Sequence, residues 1–417
     1  MSNSPPHIAV IGAGLVGVSC ALWLQKKGFR VSLADGNEPG SMTSSGNACT
    51  IADYACVPVN HPGLIRRLPT LMWGRDSPLS INPWYAVTHF PWMLSFLRHC
   101  TQSEVNKTIQ ALGDLLRLTH DGLDPLIRLT RTQDLFETNG CMYVYESEAA
   151  FNRARQGNQA RAEQGAKFTE LTAPEIRDLE PNLKPHFAKG LLFRHARHVL
   201  NPKTLVKRFF ESFLHHHGRH LFAHVKGITR NEKGLQVHLS SGEGISADQV
   251  VISSGAFSKQ IAGCGLAGIP LDTERGYHIQ YADQQHLVNR PVAWADCGFY
   301  ATPMNEGLRF AGTVEIAGLS PKKNPRHLDY LARKAQAMFD LEREPTTSWL
   351  GYRPTLPDAR PVIGSGRKDE RIIHAFGHQH IGLTLAGITG RLVSELAAGE
   401  PPCVSLQPFH PDRFRSA

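Results

Sequence analysis

The sequence predicts an α/β fold: an open, largely parallel sheet with an antiparallel sheet-and-helix lobe inserted into it. Three observations carry that reading. Ile8-Ala9-Val10-Ile11 is a short apolar run, long enough for one buried parallel strand, and it ends directly in Gly12-Ala13-Gly14-Leu15-Val16-Gly17. Near the C-terminus the same order returns: an apolar strand-like run from Ile372 to Phe376, a glycine-rich turn, then a helical stretch. Between them, residues 270–350 alternate strand-like pieces with turns rather than with helices, apart from one helical piece from Leu328 to Phe339.

In the G-x-G-x-x-G, Gly12 allows the tight turn, Gly14 lets a pyrophosphate approach the backbone, and Gly17 lets helix and strand pack closely. The helix that follows, running to Gly28, begins at Leu15 and Val16 and offers free N–H groups and a partial positive charge to phosphates. A second apolar run, Val31 to Ala34, is closed by Asp35, placed to accept hydrogen bonds from a ribose hydroxyl. The motif alone is weak. With strand, helix and acid all in place it reads as a dinucleotide site, and Asp35 suits either a nicotinamide or a flavin dinucleotide.

At 417 residues the chain has room for two domains. Its net charge of +8 is distributed, with no basic run interleaved with aromatics, which argues against nucleic acid and suits an anionic cofactor and a carboxylate substrate. Eight cysteines are scattered without a C-x-x-C pair, neither a disulfide framework nor a zinc site, so a reducing compartment is expected. The short polar lead leaves no room for a signal peptide, and no apolar stretch reaches the roughly 18–20 residues that span a bilayer. A cytoplasmic location follows as the expectation.

In chain order, Ser44-Ser45-Gly46-Asn47 supplies small residues and hydroxyls that either lie flat against a cofactor or form a flexible linker. Residues 56–100 are rich in proline and aromatics, Pro69 and Trp73 among them. From Trp84 to Leu97 an apolar helical pattern is broken at Pro91. It either packs on the body or meets a membrane surface, and the few flanking cations favour packing. Residues 102–131 are helical, Gly140 to Tyr145 a strand, and 149–180 helical and charged. Asn201-Pro202 starts a helix that ends in His215-His216-His217-Gly218-Arg219-His220, where consecutive histidines point around the axis, as in a solvated helix end rather than a metal site. The buried run Val250-Val251-Ile252 leads into Ser253-Ser254-Gly255-Ala256, the rim of a cofactor crevice or a tight turn. Gly351 to Asp358 reads as a proline-stiffened loop carrying Arg353. Gly377-His378-Gln379-His380-Ile381-Gly382, with Leu383 and Thr384 opening the helix, forms a second anion-stabilising site; His378 and His380 lack an identifiable third metal ligand. Residues 1–85, 151–265 and 351–417 are assigned to the nucleotide domain, and 86–150 with 266–350 to a substrate domain.

The stretches IGAGLVGVSCALWL…VSLAD, SSGNACTI, VVISSGAFS, ERGYHI, FAGTVE, GYRPTLPDARPVIG and HAFGHQHIGLTLA, in this order over nearly the whole chain, resemble the FAD-dependent D-amino-acid oxidase superfamily, most closely its D-amino-acid dehydrogenase branch. The resemblance implies a Rossmann-type, glutathione-reductase-like FAD domain. It places Gly12, Gly14 and Gly17 at the FAD pyrophosphate, Asp35 at the adenosine ribose, and Ser44, Ser45, Gly46 and Asn47 along the diphosphate and flavin. Ser254-Gly255 stands where relatives have Thr-Gly or Ala-Gly. Gly377, His378 and Gly382 fall on the pyrimidine side of the flavin. Arg353 would clamp the substrate carboxylate and Tyr277 would face the substrate pocket. With no cysteine beside Tyr352-Arg353, a non-covalent FAD is expected.

The implied reaction is hydride transfer from Cα of a D-amino or cyclic D-imino acid, such as D-proline or cis-4-hydroxy-D-proline, to flavin N5, with electrons leaving to a quinone or another carrier. The alternatives are a glycine/sarcosine-type oxidase using oxygen, and an FAD-holding subunit of a larger complex. Peripheral contact with the inner face of the plasma membrane and assembly into a homo-oligomer both stay open.

Overall fold

The computed structural model describes residues 5–66, 77–231, 234–366 and 368–414, so Pro69 and Trp73 lie outside the described residues. The chain enters through β1 (His7–Ile11), α1 (Leu15–Lys26) and β2 (Arg30–Asp35). Next come β3 (Leu79–Ile81), α2 (Gln102–Leu116), α3 (Thr119–Thr130), β4 (Cys141–Tyr145) and α4 (Arg155–Glu163). Then β5 (Thr169–Thr172), β6 (Lys189–Phe193), α5 (Pro202–His215), β7 (Arg219–Phe222) and β8 (Gln249–Ile252) follow. The inserted lobe holds β9 (Asp272–Tyr281), β10 (Val292–Trp294), β11 (Phe299–Met304), β12 (Gly307–Ile316), α6 (Pro325–Met338) and β13 (Thr347–Thr355). The chain returns through β14 (Val362–Ser365), β15 (Ile372–Phe376) and α7 (Gly382–Ala397).

Among the described residues, six strands form a nucleotide sheet in the order β7-β2-β1-β8-β15-β14, parallel except for the last pair. Strand β1 is buried along its whole length because both faces are covered. Ile8 and Val10 pack under α1, α3, α5 and α7, beside Leu22, Leu126, Phe209 and Val393. Ala9 and Ile11 face the other way, toward Leu235 and Val237. Each such fully buried aliphatic chain contributes on the order of 1.5–3 kcal/mol. The second, larger sheet runs β13-β9-β12-β11-β10-β4-β6-β5, with β3 added in parallel along β12.

Several expectations need correction. Helix α3, expected with the substrate domain, belongs to the nucleotide core: Leu123, Leu126 and Ile127 pack with Ile8 and Val10, and Gly122 lies against the backbone of Gly387 and Ile388 in α7. The segment 151–265 splits, because β5 pairs with β6 and β6 with β4, so that both extend the large sheet. Residues 149–180 are not continuously helical, since β5 interrupts them. Gly351 to Thr355 is strand rather than loop: β13 pairs with β9 through Thr355, and Pro354 sits at the sheet's edge, where a missing N–H is tolerated.

The Trp84 to Leu97 pattern divides into two helices, Pro83–Thr88 and Phe90–Arg98. Trp92, Met93 and Phe96 are buried beside Ile81 and Ile316, as packing requires. Trp84, Val87 and Phe90 are not: they are 77 %, 69 % and 61 % exposed. No helix among the described residues is long and apolar enough to cross a membrane.

Candidate active site

The glycine turn joins β1 to α1, and its geometry excludes side chains. Gly12 has φ +107°, and a Cβ there would sit 2.7 Å from the Ser253 carbonyl oxygen. A Cβ on Gly17 would lie 1.8 Å from the Gly12 carbonyl oxygen, so this glycine sets the close helix–strand contact. Gly14 caps α1 in extended conformation with no side-chain cap, leaving backbone donors toward the cavity. The Leu15 N–H donates to Ser44 Oγ at 3.0 Å. Asp35 accepts from the Ala13 N–H (2.7 Å) and the Asn37 N–H (2.9 Å), so the acid also holds the turn in shape. Ser253 and Ser254 brace it from below, both hydroxyls donating to the Ile11 carbonyl.

A cavity of about 1540 Å³ opens from this turn toward the large sheet. It exceeds the roughly 300–1,000 Å³ of a single small-molecule pocket and has room for a dinucleotide and a substrate together. Its wall includes Gly12, Gly14, Leu15, Val16, Asp35, Ser44, Gly46, Asn47, Ser254, Gly255, Arg353, His378, Gly382 and Leu383. Gly17, Ser45, Gly377, Thr384 and Tyr277 lie behind it. Ser45 Oγ donates to the Met42 carbonyl, and Thr384 Oγ1 accepts from the Ala52 N–H. Gly377 has φ +85°, and a Cβ there would stand 2.5 Å from Leu356.

The segment from Thr43 to Asn47 is a fixed wall, not a linker. Arg309 of β12 donates to the carbonyls of Ser45 (3.0 Å) and Asn47 (3.2 Å), and Thr302 Oγ1 donates to that of Ala48. His278 shares a 3.1 Å hydrogen bond with the Gly46 carbonyl, and Trp349 stacks on His278. On the C-terminal side, α7 starts at Gly382 without a side-chain cap, so its first N–H groups face the cavity. His378 pairs with Thr389 Oγ1 at 2.9 Å, and burial holds it neutral, with a pKa of about 4. His380 reaches into the chamber. The enclosing protein and then the Arg353 charge bring its pKa down to about 4.

Arg353 stands on the chamber wall formed by the large sheet. In register with Glu274, it lays its guanidinium over Gly276, where a Cβ would come within 2.5 Å of Nη2. Nη1 donates to the Thr313 carbonyl (2.9 Å) and Nη2 to that of Gly312 (3.4 Å). Those carbonyls are available because β12 bulges here: Arg275 faces Glu315, but Tyr277 faces Gly312, and Thr313 takes φ +55°. Burial raises the Glu274 carboxyl pKa and lowers that of Arg353, each charge opposing the shift in the other.

Tyr277 does not face the pocket. Side chains alternate along a strand, so Glu274, Gly276 and His278 share the face of Arg353, while Tyr277 points the opposite way. There its hydroxyl donates to Glu315 Oε2 at 2.5 Å and its ring stacks on His327. Glu315 also holds Arg275 (3.1 Å) and the Asn324 side chain (2.7 Å), and together they fix the bulge from behind. The sequence reading missed Tyr143 and Tyr300, which do line the chamber with their hydroxyls 2.7 Å apart. They are register neighbours of one small residue, Ala293, an adjacency that strand alternation alone does not reveal.

A turn closed to side chains at Gly12 and Gly17, uncapped helix ends at two walls and a chamber of dinucleotide size fit FAD. Residues 7–396 match the DAO family of FAD dependent oxidoreductases. A D-amino-acid oxidase of Bradyrhizobium diazoefficiens is 33% identical, covering 98% of this chain and 99% of that protein. A D-amino acid dehydrogenase 2 of Pseudomonas aeruginosa is 28% identical over 95% and 96% of the two chains. The crystal structure of glycine oxidase from Geobacillus kaustophilus superposes with a TM-score of 0.73 at 18% identity, covering 97% of this chain and 98% of that one, which shows a shared fold. The chain belongs to the DAO family of FAD-dependent oxidoreductases, and FAD is its cofactor.

Proposed function

We propose that this enzyme oxidises a D-amino or cyclic D-imino acid at its Cα–H bond, with the substrate carboxylate held by Arg353. The observation that carries this reading is a guanidinium fixed on two backbone carbonyls, in the same chamber as the glycine turn and the start of α7. Bound FAD supplies the acceptor for the hydride. The remaining guanidinium N–H groups of Arg353 can pair with a carboxylate in bidentate fashion, which orients Cα toward the cofactor side of the chamber. The N-terminus of α7 would offer partial positive charge to a cofactor that takes on electrons in this chamber. Non-covalent FAD is part of this reading, supported by the absence of a cysteine beside Tyr352-Arg353. The names of the two relatives, a D-amino-acid oxidase and a D-amino acid dehydrogenase, support the class of substrate.

Electrons pass to a quinone or another carrier, and the exposed Trp84, Val87 and Phe90 support contact with a membrane surface where a quinone resides. Direct use of oxygen is the second reading, favoured by the relative named an oxidase. The test is anaerobic mixing of the flavoprotein with D- and L-amino acids, D-proline and cis-4-hydroxy-D-proline included. Bleaching of the flavin by D-substrates, lost in Arg353→Met, is the expected result. Failure of every member to bleach it would sink the reading. Reoxidation of the reduced enzyme by oxygen against a soluble quinone then decides between the acceptors.

A further inference from the structure

We infer that the chamber holds a second anion subsite, built on Arg161, which selects D-amino acids carrying a carboxylate on the side chain. The inference rests on the function proposed above and narrows its substrate class. Arg161 projects from α4 into the chamber wall, with Cζ 5.7 Å from the Tyr143 ring. Its Nη1 donates to Asn158 Oδ1 at 3.0 Å, while Nε is buried without a partner. No carboxylate lies within ion-pair distance of it among the described residues. The neighbouring Arg153 differs, since it is largely exposed and pairs with Asp296 at 3.7 Å. A partly buried cation without a counter-charge is unfavourable, and an incoming carboxylate removes the deficit.

Tyr143 and Tyr300 complete the subsite. Of their two hydroxyl hydrogens, one is engaged in the 2.7 Å bond between them, and the other is free to donate to an anion. Burial keeps both phenols protonated, Tyr143 being pushed up to about 12. The spacing follows from the sheet. Arg353 rests on carbonyls of β12, and Tyr143 stands on β4, beyond β11 and β10 in the strand order. At about 4.8 Å per strand step the backbones that carry the two sites stand about 14 Å apart, so the sites are separate and a substrate must present two carboxylates to fill both.

The test uses the oxidised holoenzyme and redox-inert acids, read by perturbation of the flavin absorbance. Glutarate and adipate are titrated against butyrate and pentanoate. The dicarboxylates are expected to bind about tenfold tighter or more. Arg161→Met should remove most of that preference and Arg161→Lys should keep part of it. Arg155→Met, on the exposed side of the same helix and outside the chamber, should retain it in full. Equal binding of glutarate and butyrate by the unmodified enzyme overturns the subsite, and this comparison needs no variant. A preference that survives in a folded Arg161→Met protein removes Arg161 from it. Flavin bleached by D-alanine without any dicarboxylate preference leaves the proposed function standing and the subsite rejected. Dicarboxylate preference without bleaching by any D-amino acid does the reverse.

Discussion

The two walls of the chamber are made of different material. The cofactor wall is largely backbone: the turn from Gly12 to Gly17, the uncapped start of α1, and the start of α7. Asp35, Ser253 and Ser254 mostly hold that backbone in shape. The wall proposed to meet the substrate is side chains, drawn from strands of the large sheet and from α4: Arg353, Trp349, Tyr300, Tyr143 and Arg161, with His278 backing Trp349. At Gly12 and Gly17 the backbone wall tolerates no added atom. A side-chain wall tolerates changes of atoms but depends on which strand face each residue occupies.

The largest effect expected from this contrast is on the cofactor wall. Gly17→Val places a branched side chain where even a Cβ would be 1.8 Å from the Gly12 carbonyl oxygen. The cost should exceed about 4 kcal/mol, and the purified protein should contain almost no flavin. A flavin-to-protein ratio near that of the unmodified enzyme would show that the turn can open. On the substrate wall, Arg353→Met should keep the flavin and lower kcat/KM on the order of 10³-fold, measured by steady-state kinetics with the best D-substrate. Loss of flavin along with activity would mean the two walls are not independent.

Tyr277 sharpens the comparison further, because it backs the substrate wall without touching the chamber. Tyr277→Phe removes a hydrogen bond to the Glu315 carboxylate and should cost roughly 1.5–3 kcal/mol of stability in denaturant titration. Its KM should change by less than about threefold, since Arg275 and Asn324 still hold the bulge. A large rise in KM with no loss of stability would return Tyr277 to the pocket.

The most gradual effect, spread over pH units, is shared by both sheets. His374 in the nucleotide sheet and His278 in the large sheet are buried, and desolvation lowers their pKa values from 6.5 to about 4 and about 3. The folded protein therefore binds fewer protons than the unfolded chain between those values and 6.5. Stability must fall as pH drops through that window, by up to about 1.4 kcal/mol per pH unit for each such group. His374 has no hydrogen-bond partner on either ring nitrogen. His374→Leu should flatten the decline of Tm between neutral pH and the acid end of the window. An unchanged slope would assign the acid sensitivity elsewhere.

Legibility in the sequence followed the same division. The strand β1, the glycines, Asp35 and the return through β15 and α7 were readable because each requirement is local: a turn that needs glycine, a helix start, an apolar run. Arg353 was readable as a lone cation in a recurring motif, although its segment is a strand. Tyr277 was misread because alternation divides β9 into two faces without saying which one borders the chamber. Arg309, Trp349, Tyr143, Tyr300 and Arg161 carried no local signal.

The sequence by itself determined the dinucleotide turn, the α/β class and the presence of an inserted lobe, because these depend on residues a few positions apart. Tertiary structure alone decided the substrate wall. Tyr143 and Tyr300 come from distant parts of the chain, and they meet only because β4 and β11 flank β10 in one sheet. The bulge at Thr313 that seats Arg353 likewise exists only where β12 is paired against β9. Strand order and register are properties of the paired sheet, and no window of sequence contains them.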